Sequence, residues 1–117
     1  MANWSHRIGV DAHGIGLSAL RRHPRRMMYR ARRFRVDALR AVRAIAAQHA
    51  STARGRRARR LALIAFTDYA VVGRRWALSG AARLAGHTVL AARHAAAARR
   101  YARRGNQLLV TAGRLLR

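Results

Sequence analysis

From residue 24 onward the apolar positions recur at helical spacing. At 100° per residue from Arg25, Met27, Met28, Ala31, Phe34, Ala38, Leu39, Ala41, Val42, Ile45 and Ala46 fall on one half of a wheel. Arg25, Arg26, Arg30, Arg32, Arg33, Arg40 and Arg43 fall on the other. Arg35 is the exception, sitting among the apolar positions. Pro24 suits a first helical turn, because its missing N–H has no intrahelical partner there anyway. The pattern predicts an amphipathic helix over 25–46. Asp37 lies at helix-neighbour spacing from Arg33 and Arg40, which predicts an internal ion pair.

Ser51, Thr52 and Gly55 within Gln48–Gly55 predict a break, followed by the densest basic cluster: Arg54, Arg56, Arg57, Arg59 and Arg60. Leu61 to Val72 is apolar on every side, the mark of a core helix. Gly73 with Arg74 and Arg75 is expected to stop it. Trp76 to Ala92 reads as a further helix, with Gly80 and Gly86 either breaking it or admitting a close neighbour. His94 to Arg104 is Ala-rich and is expected to end at a Gly105-Asn106 turn, before a short apolar tail of Leu108, Leu109, Val110, Leu115 and Leu116. Residues 1–20 read as irregular, with Gly9, Gly14 and Gly16 interrupting any helix. No segment alternates as a strand would, and no strict repeat is present. The expectation is an all-α protein: a basic arm with a long amphipathic helix (1–55), then a small helical domain (56–117).

Composition adds the partner. The chain has 117 residues, with 26 Arg, no Lys, no Glu, and Asp11, Asp37 and Asp68 as its only acids, for a net charge of +23. Three carboxylates cannot balance 26 guanidiniums, and self-repulsion on this scale opposes the compact state. The 51% hydrophobic content argues against a disordered charged chain. GC-rich coding also favours Arg, Ala and Gly, but it favours Pro too, and Pro24 is alone. Without Cys there are no disulfides and no thiolate metal sites. No run of about 18 uncharged apolar residues exists, so no transmembrane span is expected. The first 35 residues are basic and nearly acid-free, a composition shared by organellar transit peptides and nucleic-acid-binding arms.

Arg is the planar, multi-donor cation that grips phosphates. Arg25, Arg26, Arg30, Arg32, Arg33, Arg40, Arg43, Arg54, Arg56, Arg57, Arg59 and Arg60 are the expected RNA-binding residues. Trp4 and Tyr29 are candidates for base stacking; Phe34, Phe66 and Tyr69 sit at apolar positions and belong to a core. The paired histidines His6/His13 and His87/His94 lack the carboxylate or Cys that a metal site needs, so no metal or cofactor is expected. No Gly-Lys-Ser/Thr follows Gly9 to Gly16, so that stretch is no phosphate loop. Asp11 and His13 are too slight a pair to support catalysis, and a non-enzymatic protein with no small-molecule substrate is expected.

Tyr29-Arg30, Phe34-Arg35-Val36, Ala41-Val42, Ala46-Ala47-Gln48-His49-Ala50 and the cluster Arg54 to Arg60 follow one another along the chain. In this succession of motifs, residues 29–50 onward resemble the bacterial-type large-subunit ribosomal protein L20 family. Leu78-Ser79 and Gly86 fall at corresponding places further on. The family's Gly after Tyr-Arg is absent. Its Leu-Trp-Ile and Asn-Ala-Ala signatures are replaced by Ile64-Ala65-Phe66 and Ala70-Val71-Val72, and its C-terminal Leu-Ala-Asp by Ala95 to Arg104. The resemblance covers about half the chain. It implies a basic helix threaded into large-subunit ribosomal RNA beside neighbouring ribosomal proteins, a role in subunit assembly, no catalysis, and a location on a bacterial or mitochondrial (or other organellar) ribosome. The charge alone would equally serve a DNA-condensing nucleoid or virion protein, or an amphipathic protein on an anionic membrane surface.

Overall fold

The computed structural model describes residues 23–117, and among these Pro24 opens the first helix, α1 (Pro24–Ala46). The buried positions of α1 are Met27, Ala31, Phe34, Ala38, Ala41 and Ile45, together with Asp37. The six apolar ones alternate steps of four and three, the spacing of a helix seam pressed against a neighbour. The seam is narrower than the apolar half of the wheel: Leu39 and Ala46 are exposed, and Met28 and Val42 are half-buried. Asp37, expected to make an internal pair with Arg33 or Arg40, is buried on a strip of α1 that it shares with both.

Thr52 starts α2 (Ala53–Leu84), its hydroxyl accepting a hydrogen bond from the Gly55 amide at 3.0 Å. That bond satisfies one of the first-turn N–H groups that have no helical partner. Its 32 residues reach about 48 Å at roughly 1.5 Å each, close to the 51 Å long axis of the molecule. The stop expected at Gly73 does not occur. An added Cβ there would lie 2.7 Å from the Ala31 carbonyl oxygen and 2.8 Å from the Arg35 amide nitrogen. Gly73 therefore lets the backbones of α1 and α2 touch. The same contact explains Arg35: its Cβ lies at the crossing while the residue remains exposed, so the stem packs and the guanidinium reaches water. Gly80 is a second such point, buried against Pro24 and Met28.

The chain turns at Gly86, whose φ of 78° lies in the left-handed region that glycine enters without steric cost. The turn separates α2 from α3 (Thr88–Leu115). The helices expected over Trp76–Ala92 and His94–Arg104 are therefore the end of α2 and part of α3. Gly105 does not end α3 either. It is buried, and a Cβ there would meet the Tyr69 ring at 2.9 Å and the Ala65 carbonyl oxygen at 3.2 Å.

α2 lies between α1 and α3 and packs on both. Its two seams explain why Leu61 to Val72 is so apolar, although Ile64 still faces solvent. Residues 24–46 share their core with α2 and with Ala98 of α3, so the described part of the expected arm is built into the bundle. Phe34, Phe66 and Tyr69 meet edge to face, with centroids 6.0 Å (Phe34–Tyr69) and 5.7 Å (Phe66–Tyr69) apart, a favoured aromatic geometry. The Tyr69 hydroxyl hydrogen-bonds Asn106 Oδ1 on α3, and the buried Ser79 hydroxyl donates to the Ala91 carbonyl at 2.8 Å. Burial, and then the Asp68 carboxylate, push the Tyr69 phenol up to about 12. Asp68 is buried too. Its Oδ2 lies 3.1 Å from Arg104 Nε, yet the N–H does not point at the oxygen, so the contact is an ion pair without a hydrogen bond. Desolvation accordingly raises the Asp68 carboxyl above its ordinary value, with Arg104 opposing the shift less strongly.

Candidate nucleic-acid interface

The helices alternate in direction, which three contacts fix. Arg59, near the start of α2, bonds the last carbonyls of α1, with Nε to Ile45 O at 3.2 Å and Nη2 to Ala46 O at 2.6 Å. Arg54 Nη2 reaches the Arg117 carbonyl oxygen at 3.4 Å, and Ser79 joins the end of α2 to the start of α3. One end of the bundle therefore gathers the C-terminus of α1, the N-terminus of α2 and the C-terminus of α3. It carries Arg43, Arg54, Arg56, Arg57, Arg59, Arg60, Arg114 and Arg117.

The electrostatics of this end run against helix stability. The first turn of α2 has no acid and holds Arg54 and Arg56. The positive end of a helix dipole disfavours cations by about 0.3–1 kcal/mol each. The unsatisfied amides and guanidiniums together make a strong anion attractor. At the C-terminus of α1 the arrangement is favourable: Arg43 and Arg59 lie where the dipole is negative. Arg59, expected as a phosphate contact, is thus occupied inside the fold as a cap on α1.

Of the other expected residues, Arg25, Arg26, Arg32, Arg33, Arg40 and Arg43 on α1 are exposed and Arg30 is half-buried. Arg54, Arg56, Arg57 and Arg60 are exposed on α2. Tyr29 is 58% exposed, with the Arg33 guanidinium 5.9 Å above its ring centroid. Trp4 and the glycine-rich stretch near it lie outside the described residues. The structure does not confine the basic surface to the residues expected. Arg93, Arg100, Arg103 and Arg114 line the outward face of α3, and Arg99 stacks on Trp76 at 5.6 Å. In the sequence, Arg93 and the doublets Arg99-Arg100 and Arg103-Arg104 already carry the charge beyond the arm. Of the His87/His94 pair, His94 Nδ1 takes a hydrogen bond from Arg75 Nη1 at 3.1 Å.

Taken together, the charged side chains exposed among the described residues are of one sign. Arg7, Arg21 and Arg22 precede the described residues, and none of the other 23 arginines is buried. Both aspartates in the described region are buried. Among the described residues, then, no acidic side chain is exposed. No helix of the described residues is long and apolar enough to cross a membrane. No family model, curated protein or solved structure matches the chain.

Proposed function

We propose that this protein is a structural RNA-binding protein that neutralises backbone phosphates within a large ribosomal subunit and supports its assembly. The observation that carries the reading is the surface with 23 unburied arginines and no exposed acidic side chain across the described residues. A partner of opposite sign has to complete such a molecule, and a phosphate backbone is the polyanion that guanidiniums grip best. The large subunit enters through the sequence resemblance of residues 29–50, whose Tyr-Arg, Phe-Arg-Val and Ala-Val motifs all lie on α1. The binding residues on this reading are the exposed arginines of α1, the α2 start and the outward face of α3.

Binding by counterion release predicts that log affinity falls linearly with log salt, with a slope of about −0.7 to −0.9 per phosphate contacted. Sedimentation of tagged protein from a lysate, over a series of salt concentrations, tests the reading. Co-migration with the large subunit that weakens as salt rises is expected. Co-migration with DNA, or equal competition by duplex DNA, would move the protein to DNA condensation. Flotation with anionic vesicles, with no RNA association, would move it to a membrane surface.

A further inference from the structure

The basic end of the bundle is not flat. A hollow of about 290 Å³ opens between the end of α1, the start of α2 and the end of α3. Its walls are largely apolar: the small Ala58, Ala62 and Ala112, with Ile45, Leu109 and Leu116 as the larger members. Gln48 and His49, both exposed, stand at its edge. Arg59 also borders it, but its guanidinium is held by the carbonyls of α1.

Three properties narrow the occupant. The volume lies at the lower limit of ligand sites, which run from roughly 300 to 1,000 Å³, so it suits one flat ring system. The only charged residue of the walls, Arg59, has its guanidinium engaged by the Ile45 and Ala46 carbonyls, so what enters must be neutral and able to shed water. The surroundings are strongly cationic, with Arg43, Arg54, Arg56 and Arg57 on the same end, so what enters must be tethered to anions. A nucleobase hanging from a phosphate backbone meets all three conditions. Its polar edge would meet the Gln48 amide and the His49 imidazole, and its phosphates the neighbouring guanidiniums. We infer that this hollow receives a single unpaired base of RNA. The inference rests on the RNA-binding reading and adds to it a preference for unpaired over duplex RNA.

Gly113 lines the hollow, and a Cβ added there meets nothing within 4 Å. Gly113→Leu would therefore add apolar bulk at a lining position of the hollow without removing any arginine. Replacing a helical glycine also favours helix formation, so the variant should fold at least as well as the parent, which thermal unfolding by circular dichroism checks. Binding is measured by fluorescence anisotropy of the full chain with three probes: a single-stranded oligoadenylate, the same strand carrying one abasic site, and an RNA duplex of equal length. The expected result is that Gly113→Leu weakens oligoadenylate binding about tenfold, the order of one base contact. Duplex affinity and the salt slope should stay unchanged, because no phosphate contact is lost. The abasic strand should lose less affinity on the substitution than the intact one. Equal affinity of parent and variant for oligoadenylate, or an equal loss for strand and duplex, would overturn the base site and leave the phosphate reading standing. Failure of the parent to bind either RNA would remove both.

Discussion

A methyl group on residue 73 would arrive 2.7 Å from a main-chain oxygen of α1, and main chain cannot rotate aside as a side chain can. Gly73→Ala is therefore expected to lower stability by about 1–3 kcal/mol through overpacking. Gly113→Ala, in open space on α3, should raise it by about 0.5–1 kcal/mol through helix propensity. Chemical denaturation of the two variants side by side reads the difference in sign. The same comparison explains where the sequence misleads. Glycine is absent side chain, and a missing side chain serves a turn, as at Gly86, or a close crossing, as at Gly73, Gly80 and Gly105. Composition along one strand of sequence cannot distinguish them, since the neighbour that needs the space is far away in the chain. A second residue-scale expectation concerns protons. The folded Asp68 carboxyl holds its proton to higher pH than the unfolded one, so its contribution favours the native state at low pH. That contribution is lost as pH rises past its ordinary value of 3.8. Asp68→Asn should flatten this part of the stability curve, measured as the denaturant midpoint between about pH 3 and pH 6. Tyr69 titrates in the same sense, and its phenolate absorbance should appear only near pH 12.

At the scale of elements, α1 was the most legible part of the sequence. Its stripe is regular, Pro24 marks its start, and Phe34 enters the core as the pattern requires. The arginines were less legible, because the chemistry that binds a phosphate also binds a helix-terminal carbonyl. Arg57 and Arg59 belong to one cluster, yet only Arg59 comes close to Ile45 and Ala46, a pairing set by how α2 docks. Arg59→Ala should cost about 1 kcal/mol, the net value of the hydrogen bonds lost. Arg57→Ala should leave stability unchanged or slightly raised, since it removes a cation from the positive end of a helix. RNA affinity should respond in the opposite order, with the larger loss at Arg57. Parallel unfolding and anisotropy titrations check both orders.

For the molecule as a whole, the all-helical architecture followed from periodicity, whereas the layout of charge needed coordinates. Sequence counts showed an excess of guanidinium but not that Asp37 and Asp68 are both withdrawn from the surface. Nor did they show that helix direction would collect arginines from three separate segments at one end. The shared core of α1 and α2 carries a further consequence. Every arginine from Arg25 to Arg114 lies within a helix, and those helices are braced against one another. A trypsin-like protease, which cuts after arginine, thus meets an abundance of cleavable bonds that are accessible only when the bundle opens. The rate of digestion would follow the population of opened chains, and a polyanion that binds the closed bundle would slow cutting along its whole length at once.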